Sequence, residues 1–435
     1  MPGIQYLQRF LQTNQADAQL NILYGTQASR LEVEKKRYLD LLDKFSATYP
    51  DQKEVSFFSS PGRTEVGGNH TDHNGGRVLA AAVDLDIIAV AARRADQVIQ
   101  VASEGYQPET IVLDDLTAQE KEKFTSAALI RGVCARMKAL GFSIGGFDAV
   151  IISRVPKGSG LSSSAAYEVL IATILDYFYN QARMDKVLKA QICQYSENHY
   201  FGKPCGLMDQ TTCAVGGFVT IDFQDFNHPV VKKVNFDFSH QGYTLVIIDT
   251  GGSHADLNED YAAIKNEMQS IAQFFGGKVL REVSLEKVLQ DLPSLREQVG
   301  DRAILRAVHF FQDDRRVVEQ VHALEANDMP RFLQLVNESG SSSWKLLQNC
   351  YTPADTRAQS ITLGLALSQV LLQGSLGACR VHGGGFAGTI QVFVPEHLVA
   401  DYLQQMRSVF GSQACQALQI RPVGATVVKL NQQQV

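Results

Sequence analysis

Apolar residues recur at helical spacing near the start of the chain. A repeat of the form i, i+3, i+4 places one face of a helix against a core. The residues that carry this repeat are Leu31, Tyr38, Leu41, Leu42 and Phe45. Proline is rarely tolerated inside a helix, so the pattern predicts a largely helical N-terminal region that stops at Pro50.

Continuous apolar runs follow this region and alternate irregularly with helical repeats. Gly141 directly follows one such repeat, where a helix C-terminal cap is expected. The predicted strands are 55–59, 78–92, 147–155, 217–223 and 243–249, and the predicted helices are 125–140, 163 onward, 186–200, 256–275, 304–324 and 354–372. This irregular order predicts an α+β fold. We place a domain boundary near 225–241, with an N-terminal domain at 1–230 and a C-terminal domain at 231–435.

Length and charge narrow the class of protein. The 435 residues exceed what one hydrophobic core usually serves, so two domains are expected. Because no long linker rich in Pro, Gly or Ser separates them, a site in a cleft between them is expected. Forty Lys and Arg residues against 46 Asp and Glu give a formal charge of −6, which disfavours nucleic acid as a partner.

The sequence predicts no association with a membrane. Residues 80–92 come nearest to a membrane span, but Asp84 and Asp86 interrupt them. The first residues lack the basic and apolar regions of a secretory signal. The seven cysteines are scattered without a C-x-x-C pair. We therefore expect a cytoplasmic protein with reduced thiols.

A glycine- and serine-rich segment, 156–165, joins a predicted strand to a predicted helix. Glycine lets the backbone turn tightly near a ligand, and a serine-rich helix start presents N–H groups and hydroxyls to an anion. We predict that phosphate is bound by Gly158, Ser159, Gly160, Leu161, Ser162, Ser163 and Ser164. The segment fits neither the Walker A motif nor G-x-G-x-x-G. An ordinary strand-to-helix turn with a serine cap is the alternative.

A second segment, 61–76, holds five glycines and seven side chains that are ionisable or strong hydrogen-bonders. Burying so many polar groups requires a partner for each, and a hydroxyl-rich substrate supplies such partners. Arg63 adds a fixed positive charge. A solvated polar turn is the alternative. His70 and His73 lack a nearby third ligand, which argues against zinc.

A third segment contains two carboxylates 12 residues apart, Glu197 and Asp209, among apolar residues and glycines. One carboxylate is suited to hold a hard cation and the other to accept a proton. Alternatively, Glu197 is surface charge on a helix and Asp209 is a first-turn residue favoured by the helix dipole.

In the order in which they occur, these segments resemble the signature motifs of the GHMP kinase superfamily and, within it, of the galactokinase family. Residues 23–25 and 60–63 resemble a galactokinase N-terminus, 383–388 resemble the third superfamily motif, and 421–425 resemble the family's closing strand. The resemblance spans essentially the whole chain. It implies an N-terminal domain of the ribosomal-protein-S5-domain-2 type, a ferredoxin-like C-terminal domain and an active site between them.

The resemblance also implies a reaction and the residues that carry it out. The reaction is ATP-dependent phosphorylation of a sugar's anomeric hydroxyl, so a monosaccharide and ATP are the implied partners. Residues 158–164 would wrap the ATP phosphates, with Ser164 and Glu197 holding Mg²⁺. Asp209 matches the family's catalytic aspartate and Arg63 matches its partner arginine.

The implied sugar ligands are Asn69, His70, Asp72, Gly206 and Tyr261. His70 and Asp72 match residues that bind sugar hydroxyls, and Gly206 matches a backbone contact. Tyr261, seven residues after His254, matches a further sugar contact.

The sugar motif departs from the family pattern at four positions, which are Glu65, Gly67, Asn69 and His73. Asn69 replaces a glutamate that accepts a hydrogen bond from the sugar's C6 hydroxyl. An amide both donates and accepts, and it does not repel an anion. We therefore hypothesise that galactose is the substrate, with a C6-oxidised sugar such as galacturonate as the alternative.

Two other classes of function follow from relatives of this family. Some galactokinase relatives bind sugar and ATP as sensors without turnover, and one such departure deletes residues within the serine run. That run is complete here, and Asp209 and Arg63 are both present. A mevalonate or homoserine kinase is disfavoured because His-Thr-Asp of the sugar motif is intact at 70–72.

Overall fold

The computed structural model describes residues 2–156, 158–252 and 257–430. Helices and strands are numbered in chain order. The helices are α1 (Ile4–Leu11), α2 (Asp17–Tyr24), α3 (Ala28–Thr48), α4 (Ser126–Ala139), α5 (Ser163–Tyr179), α6 (Lys186–Ser196), α7 (Met208–Val215), α8 (Asn258–Phe274), α9 (Leu285–Gln290), α10 (Leu292–Gln298), α11 (Asp301–Glu325), α12 (Met329–Ser342), α13 (Ser360–Leu371) and α14 (Val399–Phe410). The strands are β1 (Ser56–Gly67), β2 (Arg77–Arg93), β3 (Val98–Ser103), β4 (Glu109–Val112), β5 (Phe147–Ser153), β6 (Phe218–Asp222), β7 (Val230–Val234), β8 (Tyr243–Asp249), β9 (Ala378–His382), β10 (Thr389–Pro395), β11 (Cys415–Leu418) and β12 (Thr426–Val428).

The larger sheet is organised around the long strand β2. Its order is β12-β1-β2-β5-β3-β4, with β6 also paired to β2 and β7 paired to β6. The C-terminal half of β2 pairs with β5 and its N-terminal half with β6, so one apolar run serves two neighbours. All these pairs are antiparallel except β3 with β5. Every residue of β1 is buried, as expected of a strand covered on both faces.

The N-terminal helices cover one face of this sheet. The apolar stripe predicted on α3 is buried and packs with Phe57, Ile88 and Val90 in one hydrophobic cluster. Complete burial of each such side chain contributes roughly 1.5–3 kcal/mol. α3 ends at Thr48, two residues before Pro50, which confirms the predicted stop.

The opposite face of the sheet is covered by a second set of helices. α4, α5, α6 and α7 contribute to the cluster that contains most of the apolar residues of β1, β2 and β5. α4 is followed by Gly141, whose φ of 83° is the left-handed conformation expected of a helix C-terminal cap. The sheet therefore holds α5 and α7, whose N-terminal ends carry candidate site residues.

The smaller sheet contains four antiparallel strands in the order β11-β8-β10-β9. α13 and α14 pack on one face in a separate apolar cluster, and α12 contacts β9. Two sheets with helices in irregular order confirm the predicted α+β class.

Several sequence predictions need correction. The helix predicted at 354–372 begins only at Ser360, and the helix predicted at 186–200 leaves α geometry after Ser196 and continues as a π-helical turn, Glu197–Phe201. Residues 421–425 lead into the closing strand, which is Thr426–Val428. These errors lie at ends of elements, where local sequence patterns are weakest.

The domain boundary at 230/231 stays a prediction. β7 begins at Val230 and pairs within the larger sheet. β12, close to the end of the described chain, returns to pair with β1 of that sheet. Among the helices described, none combines the length and the apolar character that crossing a bilayer requires.

Candidate active site

The glycine- and serine-rich segment forms a turn between β5 and the first residues of α5. Gly158 and Gly160 have φ angles of 75° and 71°, and Ser162, directly before the helix, has a φ of 56°. A Cβ at position 160 would lie 3.0 Å from Nδ1 of His382. Glycine is therefore favoured here both by the positive φ angle and by the lack of room for a side chain. Ser162, Ser163 and Ser164 are partly exposed. The turn therefore offers hydroxyls and unpaired helix N–H groups to an anion.

Arg63 and Asp209 form a bidentate ion pair beside this turn. Nε of Arg63 donates to Oδ1 of Asp209 and Nη2 donates to Oδ2, both at 2.7 Å. Arg63 comes from β1, and Asp209 lies in the first turn of α7. Nη1 of Arg63 also donates to the Gly160 carbonyl, and the Ser162 hydroxyl donates to Oδ2 of Asp209. The pair thus connects the turn to the third segment of the sequence.

The surroundings of Asp209 keep it ionised. Burial raises the pKa of this carboxyl, but the charge of Arg63 and the hydrogen bonds from Arg63 and Ser162 outweigh burial, so the pKa lies below its ordinary value. About 27% of the side chain remains accessible. Asp209 is therefore an ionised acceptor that a bound molecule can reach.

A second carboxylate, Glu197, lies next to Ser164. The Ser164 hydroxyl donates to Oε1 of Glu197 at 3.1 Å, and Nε2 of Gln210 donates to Oε2 at 2.7 Å. Burial raises the pKa of Glu197. The positive charge of Lys203 lowers this pKa and the negative charge of Asp209 raises it, so that the pKa lies above its ordinary value. A bound cation would therefore find a carboxylate in need of compensating charge.

The donor set at Glu197 fits a hard cation that is shared with a substrate. In residues 2–156, 158–252 and 257–430, no group of three or more His, Cys, Asp or Glu side chains is arranged to hold a metal ion. Mg²⁺ usually takes one or two protein oxygens and completes its shell with phosphate oxygens and water. Ser164 and Glu197 supply two such oxygens beside the phosphate-type turn.

The sugar-type segment packs against the glycine turn 383–385. Nε2 of His70 lies 2.9 Å from the Gly384 carbonyl, and the Tyr261 hydroxyl donates to the Gly385 carbonyl at 2.8 Å. A Cβ on Gly384 would lie 2.6 Å from Cε1 of Tyr261, so glycine is required for this approach. These contacts connect β1 and its following loop to α8 and the end of β9.

Two histidines hold each other in one orientation. Nδ2 of Asn74 lies 2.8 Å from Nδ1 of His73, and Nε2 of His73 lies 3.4 Å from Nδ1 of His70. Burial lowers the pKa of His73 to about 4, which keeps its ring neutral at neutral pH. Because the Asn74 amide donates to Nδ1 of His73, the proton of the neutral His73 ring lies on Nε2. His73 therefore donates to Nδ1 of His70, and Nε2 of His70 donates to the Gly384 carbonyl.

Asp72 approaches the third segment. A Cβ on Gly206 would lie 2.9 Å from Oδ2 of Asp72, so a side chain at position 206 would collide with this carboxylate. Asp72 is partly exposed and begins a short 3₁₀ turn. Asp72, Gly206 and Asp209 therefore lie near one another although they come from two distant segments.

Asn69 is buried, and protein groups contact both atoms of its side-chain amide. Its amide nitrogen donates to Oε1 of Glu65 at 2.9 Å and to the Gly383 carbonyl at 2.8 Å. Its amide oxygen accepts from Nδ2 of Asn349 at 2.8 Å and from the Ser343 hydroxyl at 3.2 Å. An amide has two donor hydrogens and two acceptor lone pairs, so protein groups use all four. Asn69 is only 1% exposed.

Glu65 and Arg380 form a buried ion pair behind this amide. Nη2 of Arg380 donates to Oε1 of Glu65 at 2.9 Å. Arg380 is completely buried, whereas about 10% of the Glu65 side chain remains accessible. Burial raises the pKa of Glu65 against the charges of Arg380 and His70 and the hydrogen bond from Asn69. The charge of Arg63 also lowers the pKa of Glu65, which shows that Glu65 lies close to the Arg63–Asp209 pair.

The structure thus brings together candidate residues that are far apart in sequence. The turn 158–164, the pair Arg63–Asp209 and the pair Ser164–Glu197 adjoin one another, while His70 and Tyr261 meet at the turn 383–385. His254, which set the spacing for Tyr261, lies outside the described residues.

Sequence reasoning missed several residues of this site. They are Gln210, Glu65, Arg380 and Asn349. Gln210 directly follows Asp209, and Glu65 was visible as a departure from the family pattern. Arg380 and Asn349 belong to no motif, so no local signal marked them.

Comparisons with known proteins agree with this geometry. Residues 128–217 match the sequence model described as GHMP kinases N terminal domain, and residues 43–93 match the one described as Galactokinase galactose-binding signature. The galactokinase of Lactococcus lactis, solved with galactose, is 24% identical and has a TM-score of 0.73, with 88% of this chain and 98% of that chain covered.

More distant solved structures share the same fold. Mevalonate kinase of Methanococcus jannaschii is 14% identical over 84% of this chain and 98% of that chain, with a TM-score of 0.61. A D-glycero-D-manno-heptose 1-phosphate kinase from Bacteriodes thetaiotaomicron is 14% identical over 86% and 98%, with a TM-score of 0.57.

The chain therefore has the two-domain fold of the GHMP kinases and carries their N-terminal domain. Within that class, its sugar-binding signature is that of galactokinases, and the chain is a galactokinase-like phosphotransferase.

Proposed function

We propose that this protein transfers the terminal phosphoryl group of ATP to the anomeric hydroxyl of galactose, giving galactose 1-phosphate and ADP. The observation that carries the proposal is the Arg63–Asp209 pair, which connects the anion-binding turn to the sugar-type segment. A phosphoryl donor and a hydroxyl acceptor bound on these two sides would meet at an ionised carboxylate. Phosphoryl transfer needs mainly such positioning and charge neutralisation.

The phosphates of ATP would bind at the turn 158–164. The N-terminal end of α5 supplies N–H groups and a favourable dipole, and the hydroxyl of Ser163 supplies a further donor. The hydroxyls of Ser162 and Ser164 donate to Asp209 and Glu197. Ser164 and Glu197 would hold Mg²⁺, which when bound neutralises the charge of the triphosphate. Gln210 holds one oxygen of Glu197 and so fixes this carboxylate.

Asp209 would accept the proton of the anomeric hydroxyl. Its lowered pKa keeps it ionised, and Arg63 offsets its negative charge as the acceptor oxygen attacks phosphorus. Oδ2 of Asp209 accepts from both Arg63 and Ser162, whereas Oδ1 accepts only from Arg63. Oδ1 therefore keeps one lone pair for the sugar hydroxyl.

The remaining sugar hydroxyls would meet His70, Asp72, Tyr261 and the backbone at Gly206. Gly206 allows close approach because it lacks a side chain. The ring of His70 is oriented by His73. These groups come from three separate stretches of the chain, as expected of a pocket that recognises a molecule with many hydroxyls.

The galacturonate alternative loses its original basis. It depended on Asn69 presenting a neutral amide to the sugar, but this amide is saturated by protein partners. The carboxylate of Glu65 accepts a hydrogen bond from this amide. A negative charge therefore lies beside Asn69, although the glutamate of the family pattern is absent at position 69.

A coupled ADP-release assay over hexoses, hexosamines and hexuronates tests the proposal. We expect the highest kcat/KM with galactose, and a phosphorus NMR spectrum of an anomeric phosphate monoester as product. Phosphorylation at another hydroxyl would contradict the proposal. Binding of galactose and ATP by calorimetry without sugar-dependent ADP release would instead establish the sensor alternative.

A further inference from the structure

The carboxylate of Glu65 is a charged group of the sugar-type segment that the proposed reaction does not use. Glu65 stands two residues after Arg63 on β1, and alternate residues of a strand point to the same side. Burial is the largest effect on the pKa of Glu65 and raises it. The charges of Arg63 and His70 both lower this pKa. The carboxylate therefore lies near both the ion pair at Asp209 and the sugar-type segment.

The two oxygens of this carboxylate differ in their surroundings. Oε1 accepts from Asn69 and from Arg380, both at 2.9 Å. Oε2 accepts no hydrogen bond from any residue in the described part of the chain, and about 10% of the side chain is accessible. One oxygen thus fixes the carboxylate in place, and the other is available to a hydroxyl donor.

The two guanidinium groups near Glu65, those of Arg63 and Arg380, are already paired with carboxylates. Arg63 gives two of its N–H groups to Asp209 and a third to the Gly160 carbonyl. Arg380 is fully buried and faces Glu65. Three carboxylates, Glu65, Asp72 and Asp209, stand against these two guanidinium groups and the ammonium group of Lys203, whose charge acts on Asp209. A ligand that brought a further carboxylate would meet repulsion.

We infer that Glu65 is a specificity-determining residue, which accepts a hydrogen bond from a neutral hydroxyl of the sugar and excludes sugars that carry a carboxylate there. This inference rests on the proposed sugar kinase function and assigns its substrate class as neutral hexoses. Asn69 and Arg380 act as positioning residues, because they hold Oε1 and leave Oε2 for the ligand. Sites built around a buried hydrogen-bonding group discriminate strongly against a ligand that cannot pair with it.

The test compares galactose and galacturonate on four proteins. They are the wild type, Glu65→Gln, the double variant Glu65→Gln with Arg380→Gln, and Glu104→Gln. Both kcat/KM and the calorimetric Kd are measured for each sugar. Glu104 is an exposed carboxylate paired with Lys44, so its variant controls for loss of a surface charge. The double variant controls for the unpaired buried charge that Glu65→Gln alone leaves on Arg380.

For the wild type we expect kcat/KM for galactose to exceed that for galacturonate by about 100-fold or more. Glu65→Gln should lower kcat/KM for galactose by about 10-fold, the value of one hydrogen bond to a charged group. It should also raise the galacturonate-to-galactose ratio by at least about 10-fold, because repulsion is removed and Arg380 is unpaired. Glu104→Gln should leave both rates unchanged.

Equal use of the two sugars by the wild type would overturn the inference. So would an unchanged ratio in the variants that circular dichroism shows to be folded. If Glu65→Gln does not fold, the double variant decides, with a raised ratio expected. Absence of sugar-dependent ADP release from the wild type would contradict the proposed function instead. The Kd values for the two sugars would then still show whether Glu65 selects the neutral one.

Discussion

Asp209 shows how opposing effects on one residue set its chemistry. Burial favours the protonated form, but a bidentate guanidinium and a serine hydroxyl favour the ionised form more strongly. Glu197 lies 12 residues earlier in the chain. Its hydrogen-bond donors, Gln210 and Ser164, are neutral, and its pKa is raised by burial. The pKa values of two carboxylates of one segment are thereby shifted in opposite directions by their neighbours.

Replacing Asp209 by asparagine tests its role as proton acceptor. Asp209→Asn keeps the shape of the side chain and removes its basicity, so kcat should fall by about 10²- to 10⁴-fold. Binding of ATP and galactose should be retained, as measured by calorimetry. Turnover near the wild-type level would remove Asp209 from this role.

Replacing Arg63 tests the electrostatic balance. In the wild type the pKa of Asp209 lies below the ordinary value of about 3.9, so Asp209 is ionised throughout the range above about pH 5. In Arg63→Ala burial acts without the guanidinium, the pKa rises, and the acid limb of the kcat/KM profile should move to higher pH. Arg296→Ala, at an exposed ion pair, is the control and should leave the profile in place. An acid limb at the same pH in Arg63→Ala would contradict this account.

At the scale of elements, the site depends on places where regular structure is interrupted. α6 widens into the π-helical turn Glu197–Phe201, which begins at the candidate cation ligand. Ser162 adopts a left-handed conformation immediately before α5, at a cost of roughly 1 kcal/mol or more. The turn 383–385 gives each of its three carbonyls to a side chain of another element. These interruptions bring backbone and side chains together at the candidate site.

Filling the turn next to Tyr261 should weaken sugar binding selectively. In Gly384→Ala the new Cβ would lie 2.6 Å from the tyrosine ring, so the ring must move. We expect KM for galactose to rise by about 10-fold, in line with a loss of roughly 1.4 kcal/mol of binding, while KM for ATP stays unchanged. Gly3→Ala, whose Cβ would have only an ordinary contact at 3.9 Å, is the matched control. A parallel rise in KM for ATP would indicate a general disturbance of the site.

At the scale of the whole molecule, one buried carboxylate joins three distant parts of the chain. Asp86 on β2 accepts from Arg37 of α3 at 2.6 Å, from Tyr24 of α2 at 2.7 Å and from Arg421 at 3.1 Å. Burial raises its pKa, but the charges of Arg37 and Arg421 outweigh burial and the pKa is lowered. The N-terminal helices and the segment before β12 are thereby fixed to the sheet that carries Arg63.

Removing this carboxylate should destabilise the fold. Asp86→Ala leaves Arg37 and Arg421 buried without their shared counter-charge, and breaking such a pair costs about 3–5 kcal/mol. The urea midpoint should fall accordingly. Asp40→Ala, which removes an exposed ion pair with Lys36, should cost at most about 1 kcal/mol. Equal midpoints for the two variants would show that the Asp86 cluster does not anchor the terminal segments.

Elements whose signal is local can be predicted from the amino-acid sequence. The apolar stripe of α3, the runs that become β1, β2 and β5, and the glycine after α4 each carry their own periodicity or cap. The sequence also marked the turn 158–164 and the polar segments around Arg63 and Asp209, because their composition is costly to bury without a ligand. Short strands such as β7 and β9 carry too few residues for a periodic signal, so they were missed.

The contacts of each polar side chain could not be predicted in this way, because they depend on the folded arrangement of the whole chain. Asn69 stood in a sugar-binding position by sequence, yet its amide is consumed by Glu65, Ser343, Asn349 and the Gly383 carbonyl. Three of these partners lie more than 270 residues away along the chain, and no local pattern encodes such a contact. Hydrogen bonds and charge pairing depend on distance in space, so the contacts of Asn69 and Glu65 form only once β1, the turn after β9 and the residues after α12 have come together.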